Sequence, residues 1–502
     1  MTSDFKPNRK AALLLSGQRT LSALPPAISE LGHLFHDAGF ELALVGGPVR
    51  DAFLGLPIHD FDLTTSARPE QTQALLAQWG NTWDVGRQFG TIGGGRDGLT
   101  VEITTYRRDT YTIGSRKPEV DFGDSLEGDL TRRDFTVNAL AVRLPELTLV
   151  DPCGGLDDMV EGLLRTPVTA AQSFDDDPLR IMRAARFAAQ LGFDVAPDVM
   201  SAMGDFAERL TIVSQERIRS ELERLMISPA PRRGIELLVY TGVADIVLPE
   251  ISALQRTVDE HGRHKDVYQH TLQVLDQAIA LEDEEVPAPD FVLRFAALMH
   301  DVGKPSTRRF EKDGTVTFRF HDVVGAKMTS ARMKALRFDK QTTKEVSRLV
   351  ELHLRAYGFG EQGWTDSAVR RFVRDAGPLL PRLLRLIRAD ITSHNRRRVT
   401  VLQAANDELE RRIKELAAQE ELDKVRPELD GNQIMSILGL RPGRDVGEAY
   451  KYMLALRLDE GELGEEEATR RLKAWWQERK EPRDAAADGV ETTSENRNEK
   501  RK

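Results

Sequence analysis

Cysteine is almost absent from this chain of 502 residues, which has a single thiol at Cys153. One cysteine cannot build an internal disulfide framework, and this favours a reducing compartment. Long apolar runs are absent too, since none approaches the ~18 consecutive apolar residues that a membrane-spanning helix needs. The N-terminal apolar run AALLL is too short for the core of a signal peptide. We therefore predict a cytoplasmic protein that binds no membrane.

Positive charge is in the minority, because the formal net charge is −10. This acidic balance argues against a surface that is coated with nucleic acid. It does not exclude a local basic surface, and arginines cluster at Arg382, Arg385, Arg388 and residues 396–398. Such a cluster can bind RNA or form a solvated helix face, and both interpretations stay open. The sequence gives no indication of an obligatory protein partner.

The pattern of apolar residues changes near residue 165. Before it, β-forming runs such as ELALV and LTVEITTY alternate with glycine-rich turns, after a helical entry segment at residues 26–38. After it, apolar residues recur every three or four positions, as in RIMRAARFAAQL. The sequence thus predicts an α/β head followed by all-helical domains. The last segment, residues 481–502, has mixed charge and almost no large apolar residue, so we expect it to be disordered.

A glycine pair ends the first apolar strand, in the motif GGPVRD. Gly46 and Gly47 would let the backbone approach a ligand closely, and the amides that follow can bind phosphate oxygens. Arg50 adds a planar donor that suits a triphosphate. A glycine pair is also typical of an ordinary tight turn, so the motif gains its meaning from the residues that follow.

Three acidic residues follow on strand-like segments. Asp60 and Asp62 are separated by one residue in HDFDLTT, so a strand would direct both side chains to the same side. Glu102 lies in LTVEITTY, a second strand that could lie alongside. Hard cations such as Mg²⁺ take carboxylate ligands and leave room for substrate phosphates. We therefore predict that the three acids are catalytic, with Asp60 and Asp62 binding Mg²⁺ for nucleotidyl transfer.

The motif DLTRRDFTVNAL supplies further groups for a nucleotide. Arg132 and Arg133 can neutralise phosphate, whereas Asp134 and Asn138 offer hydrogen bonds to a ribose. The preceding polar segment, residues 107–128, is predicted to be a mobile loop that closes over the bound nucleotide.

Together, GG-x-VRD, DxD and RRDFT-x-NA resemble the motifs of the bacterial-type (class II) CCA-adding tRNA nucleotidyltransferases and of their relatives, the bacterial poly(A) polymerases. The similarity continues through SFDDDPLRIMRAARFAAQLGF and SQERIRSEL, so it covers residues 40–225. It implies a head similar to the DNA polymerase β catalytic domain, followed by a helical neck and body. It also implies that the substrates are CTP, ATP and the 3′ end of tRNA.

The same resemblance assigns base recognition to Asp177 and Arg180. The carboxylate would accept from the exocyclic amino group of cytosine or adenine, and the guanidinium would donate to the adjacent ring acceptor. Being three residues apart on a predicted helix, they would share one face. Arg183 and Arg186 lie further along that helix and would face the triphosphate or solvent. The family usually has glutamate where this chain has Asp176, which leaves the role of that residue open.

Seven of the ten histidines fall between positions 261 and 394. Their order resembles the HD superfamily of metal-dependent phosphohydrolases, in which a metal-activated water attacks a phosphoester. The ligands that this resemblance implies for one ion are His270, His300, Asp301 and Asp390. His321 and His353 would complete a second position. The implied ion is a divalent transition metal or Mg²⁺.

We predict six segments on this basis. They are a flexible N-terminus (1–20), a nucleotidyltransferase head (21–165), a helical neck and body for base and RNA recognition (166–255), an HD-type helical domain (256–400), a C-terminal helical region (401–480) and a disordered tail (481–502). The predicted function is addition or repair of the 3′-terminal CCA of tRNA, with a second, phosphohydrolase activity in the HD domain. Three alternatives stay open: a poly(A) polymerase, an enzyme that adds only CC or only A, and an HD phosphohydrolase whose head merely binds nucleotide or RNA.

Overall fold

The computed structural model describes residues 5–86, 90–110, 119–123, 125–255, 267–312, 315–357, 359, 364–392, 395–420 and 426–484. The chain folds into two compact units. The first comprises Met1–Ala280 and Pro287–Val350, and the second comprises Leu281–Val286 and Glu351–Lys502. Among the described residues, no helix combines the length and the apolar composition that crossing a membrane requires.

A mixed sheet forms the centre of the α/β head in the first unit. Its strands are β1 (Leu42–Val45), β2 (Phe61–Thr65), β3 (Asn81–Gly86), β4 (Thr91–Arg96), β5 (Leu99–Thr105), β8 (Ala141–Leu144) and β9 (Thr148–Val150). The strand order is β3-β4-β5-β2-β1-β8-β9, in which only the β2–β5 pair is parallel. A separate antiparallel hairpin joins β6 (Arg107–Thr110) to β7 (Glu119–Phe122). The hairpin occupies the ends of the predicted loop, whose middle lies outside the described residues.

Alternation along the strands separates the buried residues of the head from an exposed acid. All four residues of β1 are buried, as expected for a strand between two neighbours with both faces covered. On β2, Phe61 and Leu63 are buried, whereas Asp62 between them reaches solvent. The period of two that the sequence suggested is therefore present, and it directs an acid out of the apolar core.

Helices cover the sheet and begin earlier in the chain than we expected. They are α1 (Phe5–Ser22), α2 (Pro26–Asp37), α3 (Gly47–Leu54), α4 (Pro69–Trp79), α5 (Leu126–Thr131) and α6 (Gly155–Glu161). Helix α1 occupies most of the segment that was predicted to be flexible. It packs closely because a Cβ atom at Gly17 would lie 2.6 Å from the ring of Phe53, and the Ser16 hydroxyl donates to the Ala52 carbonyl at 3.2 Å.

The rest of the first unit is mainly helical, as predicted. Its helices are α7 (Ala170–Asp176), α8 (Leu179–Leu191), α9 (Pro197–Asp205), α10 (Gln215–Met226), α11 (Pro231–Tyr240), α12 (Ala244–Val247), α13 (Pro249–Leu254), α14 (Val267–Ala280), α15 (Phe291–Met299), α16 (Lys304–Thr307), α17 (His321–Ala335) and α18 (Lys340–Leu352), the last of which runs past the unit boundary. Two short strand pairs interrupt them: β10 (Leu163–Leu164) with β11 (Asp194–Val195), and β12 (Arg309–Phe310) with β13 (Val316–Thr317).

The second unit is helical in its described part. Its remaining helices are α19 (Asp366–Ala376), α20 (Leu380–Ala389), α21 (Arg396–Glu420), α22 (Gly431–Leu438), α23 (Arg444–Glu460) and α24 (Glu465–Asp484). A C-terminal core of Ile434, Ala449, Met453, Ala468 and Leu472 joins the last three helices. An α/β head followed by helical domains is thus confirmed as the architecture.

Candidate active site

Three predicted acids converge at the junction of β2 and β5. Asp62 and Glu102 are direct register partners across this parallel pair, so their side chains leave the sheet on the same face. Asp60 lies immediately before β2, and its charge raises the pKa of both partners. The local reason is simple: an acid that alternates with buried apolar residues on each strand must point away from the core.

The pKa values of Asp62 and Glu102 are both raised. Desolvation raises the pKa of Asp62; the nearby Arg133 opposes this and Asp60 adds to it. For Glu102, desolvation again raises the pKa, and the charges of Asp62 and Asp60 add to it. Like charges held this close favour a bound cation, and an all-oxygen ligand set suits Mg²⁺. The residues present therefore fit a magnesium site.

A cavity of about 310 Å³ opens above these acids. This volume lies at the small end of the range for ligand sites in proteins. Most of its polar lining comes from residues that the motifs predicted. The lining residues are Val45, Asp62, Leu63, Thr91, Glu102, Thr104, Arg107, Arg132, Arg133, Asp134, Asp177, Arg180 and Arg183. The wall combines carboxylates with five arginines, as a receptor for a metal-bound polyphosphate requires.

A buried aspartate holds two of the arginines in place. Asp129 accepts from Arg132 Nη2 at 2.8 Å and from Arg133 Nη2 at 3.3 Å, and also from the backbone N–H of Arg107 at 3.2 Å. Burial alone would raise the pKa of Asp129, but the two guanidinium groups bring it below its usual value. The two side chains that the sequence predicts to bind phosphate are therefore oriented by the protein itself.

A second buried aspartate, Asp134, anchors another group of side chains at the cavity. Asp134 Oδ2 forms an ion pair with Arg183 Nη2 at 2.6 Å, and Asp134 Oδ1 accepts from Asn138 Nδ2 at 3.0 Å, while Asn138 Oδ1 accepts from Arg50 Nη1 at 2.7 Å. Burial would raise the pKa of Asp134, but Arg183 and the hydrogen bonds lower it overall. Arg50 is itself buried and paired with Asp51 at 2.7 Å. These bonds connect the side chains to one another, so contacts with ribose or triphosphate stay a prediction.

The two glycines of GGPVRD shape the start of α3. Gly46 caps the helix with φ 73° and ψ −130°, a conformation that is essentially restricted to glycine. A Cβ atom at this position would lie 2.9 Å from Arg133 Nη1. Gly47 is the first residue of the helix. The glycine pair therefore makes room for a cavity arginine, whereas phosphate binding by the following amides stays a prediction.

The predicted base-reading pair lines the same cavity, but not as two residues of one helix. Asp177 has an extended backbone (φ −140°, ψ 98°) between α7 and α8, because Pro178 disfavours a helical conformation in the residue before it. Its Oδ1 accepts from the N–H of Leu179 at 3.2 Å, and its Oδ2 accepts from Arg217 Nη2 at 3.0 Å. Arg180 begins the first turn of α8. The expectation of a shared helix face was wrong, although both residues line the same cavity.

Arg180 is fixed from two sides. Its Nη1 donates to the Ser173 hydroxyl at 2.8 Å, and its Nη2 donates to the Arg132 carbonyl at 2.6 Å. A guanidinium has five N–H donors, so an arginine held in this way retains donors for a base. Arg186 lies elsewhere: it is buried against Glu221, with Nε 2.5 Å from Oε2. Of the arginines on α8, the structure brings Arg180 and Arg183 to the cavity.

Sequence reasoning missed several residues of the site. Thr91, Thr104 and Arg107 line the cavity, and Arg107 Nη2 donates to Thr91 Oγ1 at 3.1 Å. The alternation Glu102–Thr104 on β5 was a signal for Thr104, because residues two apart on a strand share a face. Ser173 and Arg217 gave no local signal, since each contacts a partner that lies seven or more positions away in the chain.

A second cluster of ionisable groups lies in the helical part of the first unit. Asp301 Oδ2 is 3.4 Å from His270 Nε2, 3.2 Å from His300 Nε2 and 2.8 Å from Lys304 Nζ, and Asp301 Oδ1 is 3.2 Å from His321 Nε2. Burial would raise the pKa of Asp301, but His300 and Lys304 bring it well below its usual value.

Backbone carbonyls orient two of these imidazoles. His300 Nδ1 is 2.8 Å from the Ala297 carbonyl, and His321 Nδ1 is 2.8 Å from the Phe318 carbonyl. A carbonyl only accepts, so each Nδ1 carries a proton, and each ring directs its Nε2 atom, the one that could bind a metal, toward Asp301. This donor set fits a divalent metal. The other two predicted ligands, His353 and Asp390, belong to the second unit, and their participation stays a prediction.

Comparison with protein families finds three matching models. Residues 42–165 match the Poly A polymerase head domain, residues 192–254 match the probable RNA and SrmB-binding site of polymerase A, and residues 267–417 match the HD domain. The first covers the sheet and its acids, and the third covers the histidine cluster.

Individual proteins extend this similarity along most of the chain. An A-adding tRNA nucleotidyltransferase of Deinococcus radiodurans is 34% identical over 450 residues, which is 87% of this chain and 95% of that relative. A CCA-adding enzyme of Streptococcus gordonii is 42% identical over 224 residues, so the chain matches 55% of its length. Among solved structures, the Bacillus stearothermophilus CCA-adding enzyme in complex with CTP aligns with a TM-score of 0.63 and 27% identity, over 91% of this chain and 99% of that one.

Proposed function

Because the chain belongs to the tRNA nucleotidyltransferase family, we propose that it builds or repairs the 3′-terminal CCA of tRNA from CTP and ATP, in the cytoplasm. The observation that carries this proposal is the cavity in which the Asp62–Glu102 pair faces Asp177 and Arg180. The relatives named CCA-adding enzymes and the fold shared with the CTP complex support the choice of substrates.

The chemistry follows from the charges of the cavity. The 3′-hydroxyl oxygen of the RNA forms a bond to the α-phosphorus of the nucleotide, and the bond to the leaving pyrophosphate breaks. Mg²⁺ held by Asp60 and Asp62, with Glu102 beside them, would activate the hydroxyl and stabilise the pyrophosphate. Arg132 and Arg133, oriented by Asp129, bind the phosphates and neutralise their charge.

Asp177 and Arg180, which also line the cavity, select the base. Asp177 accepts from the exocyclic amino group that cytosine and adenine share, and Arg180 donates to the neighbouring ring nitrogen. Uracil and guanine present a carbonyl to the carboxylate, which leaves two acceptors facing each other. Because Ser173, Arg132 and Arg217 fix this pair, a wrong base cannot be accommodated by a simple rotation of either side chain.

A nucleotide-dependence assay tests the proposal. Transcripts of tRNA that lack CCA, or that lack only the terminal A, are incubated with CTP, ATP, both, or UTP. We expect full CCA from the first transcript when both nucleotides are present, and no incorporation of UTP. Long tails from ATP alone would indicate a poly(A) polymerase instead.

A second candidate is addition of A alone. The observation that favours it is the similarity to the Deinococcus enzyme, which extends over 87% of this chain, whereas the match to the Streptococcus enzyme covers 44%. The same assay separates the two: an A-adding enzyme extends the transcript that ends in CC and leaves the transcript without CCA unchanged.

We also propose that the cluster of His270, His300 and Asp301 holds a divalent metal and hydrolyses phosphoesters. The imidazole Nε2 atoms that converge on the Asp301 carboxylate support this proposal. Metal content by mass spectrometry is expected to fall in His300→Ala, together with hydrolysis of a simple phosphodiester, while nucleotide addition continues. Asp60→Ala is expected to show the opposite pattern. Should the wild type hydrolyse the phosphodiester but add no nucleotide, the head would be only a binding module.

A further inference from the structure

The segment between Asp301 and His321 exposes an unusual amount of aromatic surface. It contains α16, β12 and β13 and connects two members of the histidine–aspartate cluster. The side chain of Phe310 is 71% exposed, and that of Phe320 is 73% exposed. Phenylalanine is among the residues that folding buries most often. Two exposed rings on one short segment therefore indicate a ligand.

The backbone at Phe320 is strained as well as exposed. This residue has φ 64° and ψ 21°, in the left-handed region, and it directly precedes His321 at the start of α17. Bulky residues seldom adopt this conformation, and such strain is concentrated at functional sites. By contrast, Phe318 is 2% exposed and anchors the segment in the core. One ring thus fixes the segment while the next ring is held in solvent.

The same segment is locally basic in an acidic chain. Residues 304–320 contain five lysines and arginines against two acids, although the whole chain has a net charge of −10. The guanidinium carbon of Arg308 lies 4.8 Å from the centre of the Phe310 ring, and the Arg319 side chain is 72% exposed. Arginines interleaved with exposed aromatic rings are typical of surfaces that bind single-stranded nucleic acid, where rings stack on bases and cations contact phosphates.

We propose that residues 304–312 and 315–320, the RNA-binding segment, bind single-stranded RNA and present one of its phosphoesters to the adjacent histidine–aspartate cluster. Bases stack on Phe310 and Phe320, and the arginines contact the backbone. The base of the segment reaches the cluster directly, because Lys304 Nζ lies 2.8 Å from Asp301 Oδ2. The choice of substrate rests on the proposed hydrolytic function of the cluster, whereas RNA binding does not depend on it.

Photocrosslinking tests the binding step with the full chain. A single-stranded hexaribonucleotide that contains 5-iodouridine is irradiated with the protein, and the crosslinked peptides are mapped. We expect adducts within residues 304–320. In Phe310→Ala and Phe320→Ala, the RNA concentration that gives the same adduct yield should rise about 5- to 100-fold, the loss expected for one stacked base. Tyr240→Ala is the matched control, since this tyrosine is 79% exposed in the same unit but outside the segment. Adducts confined to other peptides would overturn the proposal.

Hydrolysis kinetics separate the segment from the cluster. With a divalent metal present, kcat/KM is measured for a hexaribonucleotide with a 3′-terminal phosphate and for bis(p-nitrophenyl) phosphate. The ratio of the two values is expected to fall about 5- to 100-fold in both phenylalanine variants and to stay constant in Tyr240→Ala. A constant ratio in all variants would refute RNA delivery while leaving the hydrolase standing. If the wild type cleaves neither substrate, the hydrolase proposal fails, and crosslinking alone decides RNA binding.

Discussion

Replacement of Glu221 by glutamine tests whether Arg186 is a structural residue. The sequence placed Arg186 among the groups that bind nucleotide, but its guanidinium is buried against Glu221, with 2.5 Å between Nε and Oε2. It also donates to Gln190 Oε1 at 2.9 Å, and its guanidinium carbon lies 3.9 Å from the centre of the Phe187 ring. Both members of the ion pair are more than nine-tenths buried.

The expected magnitude follows from this burial. Removing one member of a buried ion pair leaves the other charge uncompensated, which costs about 3–5 kcal/mol. We expect Glu221→Gln to lower the free energy of unfolding by about that amount, as measured by urea unfolding followed by circular dichroism. The KM values for CTP and ATP should change little at a temperature at which the variant is folded.

A matched variant and a clear contrary result complete the test. Glu216→Gln alters an exposed acid on the same helix, so its stability should remain within about 0.5 kcal/mol of the wild type. The reasoning is refuted if Glu221→Gln costs less than about 1 kcal/mol, as an exposed pair would, while either KM rises more than tenfold. Arg186 would then contact nucleotide, as the sequence suggests.

Three further predictions follow from the cavity. Gly46→Ala should lower the free energy of unfolding by about 1–3 kcal/mol and reduce kcat, because the backbone has a positive φ and the new Cβ would lie 2.9 Å from Arg133 Nη1. Thermal unfolding measures the first effect and tRNA extension measures the second. Wild-type values in both assays would contradict the prediction. The carboxylate of Asp129 has a lowered pKa, so its stabilising effect is complete above the unfolded value of about 4 and is lost as the pH falls through the lower folded value. The stability difference between the wild type and Asp129→Asn should therefore shrink below about pH 4 in urea unfolding, and a constant difference would count against the assignment. Ser173→Ala removes one of the bonds that fix Arg180, so the preference for CTP over UTP in kcat/KM should fall about tenfold, the equivalent of one hydrogen bond, with Ser173→Thr retaining more of it.

The amino-acid sequence alone was sufficient to predict where the acids of the head lie. Alternation on a strand is a local property, so the residues around Asp62 and Glu102 already indicate two strands that direct acids away from the apolar core. The change from a period of two to a period of 3.6 near residue 165 likewise predicted where the helical part begins. One local signal was overlooked, because a proline after Asp177 already disfavoured helix at that residue.

Other predictions failed because their outcome depends on contacts between distant segments. The N-terminal segment was expected to be flexible, but it forms helix α1. This helix packs against Phe53 because Gly17, 36 positions earlier in the chain, has no side chain. Whether Arg186 turns to the cavity or to Glu221 is decided by the packing of α8 against α10. A sequence states which charges are present, but the energy of a buried charge depends on which partner the fold brings within hydrogen-bond distance.

The sequence by itself thus determined most element types, the acids on the exposed face of β2 and β5, and the family motifs, since these follow from short-range periodicity and from residue chemistry. Only the tertiary structure decided which arginines reach the cavity and which are held by Asp129, Asp134 and Glu221. It also revealed two phenylalanines left in solvent beside the histidine cluster. The physical reason is that burial and ion pairing are properties of a three-dimensional neighbourhood, which no local pattern specifies.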